Sequence, residues 1–151
     1  MKRFLVLTLA GLCIFTGCEK VEDNNETKGA YKEGTYEGSY VDTYGGEENL
    51  ATAKLVVNSD GKIESIYLDT EYQGSTKKTL GDDYNMKTYQ PDAVGEWYEQ
   101  VEALEEAIVE HQGTDFITLD EENKTDAVSG CTIVIDALLG AANDAIEQAK
   151  N

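Results

Sequence analysis

Basic residues, cysteine and long apolar runs are all scarce in this sequence. Lys and Arg number 12 against 30 Asp and Glu, which gives a formal charge of −18. A surface this acidic excludes binding to a nucleic-acid backbone, which needs a basic face, and disfavours docking of the domain surface on anionic lipid. Three cysteines cannot build a disulfide framework. A length of 151 residues suffices for one ordinary domain.

Motifs of familiar chemistry are scarce as well. The sequence has no phosphate-binding loop, no zinc-ligand spacing and no nucleophile–base pair. Its one histidine, His111, ends an acidic helix and is expected at the surface rather than in a ligand set. Residues 120–124 offer oxygen ligands but lack the glycine and the spacing of a calcium loop. Tyrosine and glycine are plentiful, at 9 and 14, which indicates a core with polar-tipped rings and several tight turns.

The first 18 residues have the features of an export signal. Residues 1–3 are positively charged, and residues 4–15 form an apolar run that is shorter than the roughly 20 residues needed to cross a bilayer. The run ends in Phe15-Thr16-Gly17-Cys18, where small residues before a cysteine form a bacterial lipoprotein cleavage box. We expect cleavage before Cys18 and lipid on its sulfur. An ordinary signal peptide with an incidental cysteine is the alternative.

Residues 18–34 form the second predicted unit, the lipidated Cys18 and a tether. Residues 19–34 are polar and charged without periodicity, which predicts a flexible segment with a reach of about 20–25 Å. Strand structure at its last few positions is the alternative. Loss of residues 1–17 would remove Lys2 and Arg3 and no acid, so the mature charge would change from −18 to −20.

Residues 35–151 are predicted to form one α+β domain. Three segments have the alternation, or the β-branched and aromatic content, of strands: residues 35–43, 51–58 and 62–72. Ser59-Asp60-Gly61 predicts a hairpin between the second and third segments. The expected fold is therefore a small antiparallel sheet, made of an N-terminal strand and a hairpin, packed with two main helices.

Two segments have helical periodicity. In residues 95–112, apolar side chains recur on one face: Trp97, Val101, Leu104 and Ile108. The other face carries glutamates that no lysine offsets: Glu96, Glu99, Glu102, Glu105, Glu106 and Glu110. Residues 132–150 predict a second helix with this buried side: Ile135, Leu138, Ala142, Ala145, Ile146 and Ala149. Gly140 and Ala141 would allow close packing. The pattern of residues 79–86 predicts a loop or short helix, and the pattern of residues 116–119 predicts a short strand.

The candidate site is the segment before the second helix, Asp126-Ala127-Val128-Ser129-Gly130-Cys131-Thr132. Its small residues let the backbone approach a ligand closely, and successive N–H groups at a turn and a helix N-terminus favour an anion. Thr132 would place a hydroxyl there, and a phosphate esterified to it would meet N–H donors. The alternative is that Ser129 or Thr132 only caps the helix.

These seven residues resemble the Asp-x-x-Ser/Thr-Gly-Ala-Thr signature of FMN-binding domains that carry covalent FMN. Residues 78–87 (KTLGDDYNMK) and 97–100 (WYEQ) are similar to segments of the flavinylated extracellular electron-transfer lipoproteins of Gram-positive bacteria. The likeness covers about residues 34–150, and the lipoprotein box agrees with it.

The resemblance implies that FMN is joined to Thr132 through its phosphate by a flavin transferase that uses FAD and Mg²⁺. Asp126 would correspond to the acid that the transferase requires. Ser129 and Gly130 would form the turn around the phosphate.

Three further residues have two interpretations each. Cys131 stands where the signature has Ala, and is either a buried inert thiol or an oxidisable thiol beside a redox cofactor. The resemblance implies that Met86 and Tyr84 line the flavin ring, and the alternative for both is core or loop packing.

The function that the resemblance implies is a membrane-anchored, extracytoplasmic electron carrier without substrate turnover of its own. Lipid on Cys18 would hold it at the outer face of the cell membrane. The implied partners are the flavin transferase, a membrane donor (a quinol or a membrane flavoprotein) and an extracellular acceptor. The alternative is a non-redox surface lipoprotein that binds another ligand or partner through an FMN-binding-like fold.

Overall fold

The computed structural model describes residues 29–150. The export signal, the cleavage box, Cys18 and residues 19–28 of the expected tether lie outside the described residues. The strands are β1 (Gly34–Asp42), β2 (Asn49–Val57), β3 (Ile63–Tyr72) and β4 (Ser75–Thr76). The helices are α1 (Lys77–Leu80), α2 (Met86–Tyr89), α3 (Trp97–His111) and α4 (Asp136–Ala149), with short 3₁₀ turns at Tyr44–Gly46 and Gly81–Tyr84.

The four strands form one antiparallel meander in the order β1-β2-β3-β4. The register sets Gly34 opposite Val57 at one end of β1 and Asp42 opposite Asn49 at the other. The turn from β2 to β3 closes where Asn58 N donates to the Lys62 carbonyl oxygen at 2.9 Å. The predicted α+β fold, with its hairpin and antiparallel sheet, is confirmed.

The core lies between one face of the sheet and the two long helices. Along β2 the alternate residues Ala51, Ala53, Leu55 and Val57 are buried, as the period of two requires for a sheet that is covered on one face. The helix α4 packs over β1 and β2, and α3 packs against β3. The predicted apolar faces of both helices are buried, which confirms those assignments. Within residues 29–150, no helix is both long and apolar enough to span a membrane.

Two glycines allow α4 to lie close to β1. A Cβ atom at Gly38 would overlap the carbonyl oxygen of Ala141 and the amide nitrogen of Ala145, and one at Gly140 would overlap the ring of Tyr40. The helix backbone therefore rests directly on the strand. The expectation that Gly140 permits close packing is confirmed.

The helix α3 covers the free edge of β3. Its Glu105 accepts hydrogen bonds from Leu68 N of that edge and, at 2.6 Å, from Lys78 Nζ. Beyond its last turn, Gln112 accepts from Ile63 N at 2.7 Å and donates to the Ile63 carbonyl oxygen at 2.9 Å. These contacts occupy strand groups that would otherwise be open to pairing with another chain.

As predicted, no lysine within α3 offsets its glutamate face, but Glu105 pairs with a lysine from outside the helix. Lys78 lies 27 positions away in sequence and reaches Glu105 only because α1 folds against α3. Burial raises the pKa of Glu105, and its hydrogen bonds with Lys78 and Leu68 N oppose that rise.

Two other secondary-structure predictions are corrected. Residues 116–119 form no strand, because this segment turns at Ile117 N, which donates to the Thr114 carbonyl oxygen at 3.0 Å. The second long helix begins at Asp136 rather than at residue 132, since residues 132–135 are non-helical and Ile135 N bonds to the Asn123 carbonyl oxygen.

The end of the expected tether is part of the domain. Gly29 N donates to the Asp60 carbonyl oxygen at 2.6 Å and Lys32 N to the Ala149 carbonyl oxygen at 2.8 Å. The hydroxyl of Tyr31 donates to the Gln112 carbonyl oxygen at 2.8 Å. Residues 29–32, which precede β1, therefore belong to the domain rather than to the expected tether.

The substitution Gly38→Ala is expected to lower the free energy of unfolding by about 1–3 kcal/mol, because the added methyl group forces α4 away from β1. Urea denaturation measures the change. Ser39→Ala is the matched control, since Ser39 lies on the exposed face of the same strand and its substitution should stay within about 0.5 kcal/mol. Equal denaturation midpoints for the two variants would contradict the close packing.

Candidate functional site

A small cavity lies where the end of β1, the short helices and the segment before α4 meet. Its wall includes Tyr84, Met86, Trp97 and Thr132. The structure thus brings together three residues that the sequence singled out in two separate segments: Tyr84 and Met86 in one, and Thr132 in the other. The cavity holds about 130 Å³, which is less than the roughly 300–1,000 Å³ of sites that bury most of a drug-sized ligand.

The aromatic wall of the cavity is a packed cluster. The ring of Tyr84 meets Tyr72 edge-on at 5.0 Å between centroids and Trp97 at 6.3 Å. Met86 is buried and its backbone N donates to Glu96 Oε2 at 2.8 Å. Glu96 also forms a capping box with Glu99 at the start of α3, so the start of α3 holds Met86 in place.

The signature segment is a tight turn on the surface. Cys131 N donates to the Val128 carbonyl oxygen at 3.3 Å, and Gly130, with φ of +85°, takes the left-handed conformation that this turn requires. Asp126, Ser129 and Gly130 are exposed. The side chain of Asp126 makes no hydrogen bond or ion pair with other residues of 29–150, and faces solvent.

Thr132 is tied to α3 by one buried side chain. Gln100 Oε1 accepts hydrogen bonds from Thr132 N at 2.9 Å and from Thr132 Oγ1 at 3.0 Å. Gln100 is 1% exposed, whereas Thr132 retains solvent exposure. The hydroxyl of Thr132 is therefore held in a defined position on a surface that another molecule can reach.

The amide nitrogen of Gln100 completes the connection. Gln100 Nε2 donates to the Gly95 carbonyl oxygen at 2.9 Å and lies 3.8 Å from Met86 Sδ. One carboxamide therefore joins the turn before α3, the start of α2 and the signature segment. Sequence reasoning assigned Gln100 no role. The signal that could have found it is a polar residue on the apolar face of α3, beside Val101 and Leu104.

The predicted anion site at the start of the last helix is corrected. Because α4 begins at Asp136, three residues separate Thr132 from its first turn, and that turn already contains the Asp136 carboxylate. The capping alternative is also wrong, since Ile135 precedes the helix and no side chain of Ser129 or Thr132 caps it. The hydrogen-bond partner of Thr132 is Gln100 rather than the α4 backbone.

Cys131 is a core residue. It is 1% exposed, and burial raises the pKa of its thiol to about 11. Cysteine therefore fills the position that alanine has in the signature, and the structure supports the inert-thiol alternative.

The remaining sequence candidates have local roles. His111 is exposed, as expected, and stacks on Phe116 with 4.0 Å between ring centroids. Asp120 Oδ1 accepts hydrogen bonds from the backbone N of Glu122 and of Lys124, each at 2.8 Å. This carboxylate therefore stabilises the turn at residues 120–124. Across residues 29–150, no group of three or more His, Cys, Asp or Glu side chains is placed to hold a metal ion.

The domain is an α+β domain of a meander and two long helices, with an aromatic-walled cavity beside a threonine hydroxyl. The sequence model of the FMN-binding domain family matches residues 44–147. The chain belongs to this family, and flavin binding is the function that membership supports. The matched range includes the cavity-lining residues between Lys77 and Thr132. No curated protein and no solved structure matches the chain.

The Cys131 thiol should react with a disulfide reagent at least 100-fold more slowly in the folded protein than in the unfolded chain. With a thiol pKa of about 11, about one molecule in 10,000 carries the nucleophilic thiolate at pH 7. The measurement uses dithiobis-nitrobenzoate on a chain with Cys13 and Cys18 changed to Ser. Adding Cys131→Ala gives the zero-thiol control. Rapid labelling of the folded protein would instead support an oxidisable thiol.

Proposed function

We propose that this domain carries FMN on Thr132 through a phosphoester and serves as an electron carrier anchored outside the cell membrane. The observation that carries the proposal is the position of the Thr132 hydroxyl. It lies in the wall of the cavity that contains Tyr84, Met86 and Trp97, in a chain that belongs to the FMN-binding domain family.

The exposure of the signature segment supports modification by a flavin transferase. Asp126, Ser129 and Thr132 are all accessible, so a second protein can approach the acid, the turn and the hydroxyl together. In this step the bond between the two phosphates of FAD would break, AMP would leave and the FMN phosphate would bond to Thr132 Oγ1. The hydroxyl would lose its proton and with it one hydrogen bond to Gln100. The bond from Thr132 N to Gln100 Oε1, at 2.9 Å, remains and keeps the segment in place.

The size of the cavity supports a carrier. At about 130 Å³ it holds one edge of a tricyclic ring, and the remainder stays accessible to other molecules. An accessible edge suits electron exchange by brief contact. A covalent attachment also prevents loss of the cofactor outside the cell.

The chemistry belongs to the flavin, which accepts and passes one or two electrons when bound. The protein supplies attachment, orientation and electrostatics. A mature charge of −20, two units below the −18 of the full chain, disfavours added negative charge on the ring and lowers the reduction potential, an effect that salt weakens. The proposed donor is a membrane quinol or membrane flavoprotein, and the proposed acceptor is extracellular iron or a reductase domain.

The proposed anchor is lipid on Cys18. Residues 29–32 of the expected tether make backbone hydrogen bonds within the domain, so the proposed tether is the segment between Cys18 and residue 29. The domain would thus work beside the outer face of the membrane, within reach of a membrane donor.

A non-redox surface lipoprotein with the same fold is the competing proposal. The visible absorbance of the purified mature protein distinguishes the two proposals at little cost. Flavin absorbance that survives denaturation supports covalent attachment, whereas a colourless protein produced together with a flavin transferase supports the non-redox alternative.

Thr132→Val should abolish covalent flavin, because valine keeps the shape of threonine and lacks the acceptor oxygen. The chain is exported together with a flavin transferase, and intact mass shows whether one FMN-phosphoryl group is added. Thr132→Ser is the matched control and should retain the label. Asp126→Asn should reduce labelling without affecting stability, since Asp126 is exposed.

Retention of flavin by denatured Thr132→Val would place the attachment at another residue. The bound flavin should also be reduced by dithionite and reoxidised on addition of a ferric complex. A flavin that is attached but cannot complete this cycle would rule out the carrier.

Cys18→Ala should release the protein from the membrane fraction, because the lipid acceptor is lost and a protein without an acyl anchor has no stable membrane attachment. Fractionation of the producing cells, with the mass of the mature N-terminus, measures the effect. Cys13→Ala is the matched control and should leave anchoring unchanged. Equal membrane retention and processing of the Cys18 variant would contradict the lipoprotein box.

A further inference from the structure

The cavity contains a lysine whose ammonium group has unused hydrogen-bond donors. Lys77 is 9% exposed, although lysine is rarely buried without a partner. Its Nζ donates no hydrogen bond to any residue of 29–150. Its one ion pair in that range, with Asp42 Oδ2, is long at 3.9 Å. An ammonium group has three donors, so donors of Lys77 remain available to a ligand.

The aromatic wall directs this ammonium group towards the cavity. Lys77 Nζ lies 5.1 Å from the centroid of the Trp97 ring and 5.6 Å from that of the Tyr84 ring, and Lys77, Trp97 and Tyr84 all line the cavity. Burial lowers the pKa of Lys77, and the carboxylates of Asp42 and Asp69 raise it. A negatively charged group in the cavity would therefore add a favourable interaction with a poorly solvated cation.

The charges around the cavity differ from those of the whole chain. Two lysines and two aspartates line it, Lys77, Lys124, Asp42 and Asp136, whereas the chain has 30 acidic and 12 basic residues. Of the two lysines, Lys124 is more exposed, with 39% of its side chain accessible, and pairs with Glu122 at 2.8 Å. Lys77 is thus the more buried of the two lysines that line the cavity.

We propose that Lys77 binds the edge of FMN that gains negative charge on reduction, and that it thereby raises the midpoint potential of the cofactor. This inference rests on the proposed function. Charge near the pyrimidine edge of a flavin ring tunes its potential, and a buried cation is screened less than the surface acids. No bond forms or breaks at Lys77. The electrons come from the membrane donor, and any proton comes from solvent.

The first test compares midpoint potentials of flavinylated, full-length variants. Lys77→Met should lower the potential, because the charge is lost and the side-chain volume is kept. Lys77→Arg should restore most of the shift. Lys54→Met is the matched control, since Lys54 is an exposed lysine on β2, and it should shift the potential much less. Lys124→Met should have an intermediate effect.

The second test measures the wild-type protein, and a variant serves only to assign the signal. In a chain labelled with ¹⁵N-lysine, the side-chain signal of Lys77, assigned from Lys77→Arg, should shift on flavinylation and again on reduction with dithionite. The Lys54 signal should change little in either step. A second shift on reduction separates binding at the ring from binding at the phosphate, whose charge does not change.

The outcomes separate the two proposals. A wild-type chain that carries no FMN overturns both of them. Normal attachment and cycling, with a Lys77→Met potential no lower than that of Lys54→Met, overturns the role of Lys77 alone. So does a larger shift for Lys124→Met than for Lys77→Met, or a Lys77 signal that is unchanged by reduction.

Discussion

The buried carboxamide of Gln100 holds the candidate site together. Its oxygen accepts from the backbone and the hydroxyl of Thr132, and its nitrogen donates to the Gly95 carbonyl oxygen. Such a group is costly to bury without partners, so each bond it makes constrains the others. Thr132 keeps a fixed hydroxyl in a surface segment because its partner is anchored in the core of α3 rather than in the segment itself.

The placement of α3 explains why that anchor is rigid. The helix starts at a capping box whose Glu96 also binds Met86 N, and beyond its other end Gln112 pairs with the first residue of β3. Between these ends, Glu105 occupies the strand edge at Leu68 N. These contacts therefore fix α3 to the sheet edge along its length. The start of this fixed helix contributes Trp97 to the cavity wall.

Charge is distributed in two different ways in this protein. The chain is strongly acidic overall, which repels anions, whereas the cavity wall balances Lys77 and Lys124 against Asp42 and Asp136. A flavin bound in this cavity, as proposed, would experience two opposing fields. The surface field is long in range and weakened by salt, and the field of a buried lysine is local and persistent. The protein could therefore keep a high net negative charge while Lys77 compensates negative charge on a ligand in the cavity.

The sequence alone determined the elements that depend on local pattern. Period-two alternation located the strands, 3.6-residue periodicity located the apolar faces of α3 and α4, and the Ser-Gly pair of the signature segment predicted the turn before Thr132. The tertiary structure decided what depends on contacts distant in sequence. Gln100 meets Thr132 from 32 positions away and Lys78 meets Glu105 from 27. The start of α4 was misplaced because hydrogen bonds with Gln100 and Asn123 hold residues 132–135 in a non-helical conformation, and helix propensity does not depend on such distant partners. The sequence could not predict the role of Lys77 for the same reason. Nothing in the order Thr76-Lys77-Lys78 shows which of two adjacent lysines will line the cavity.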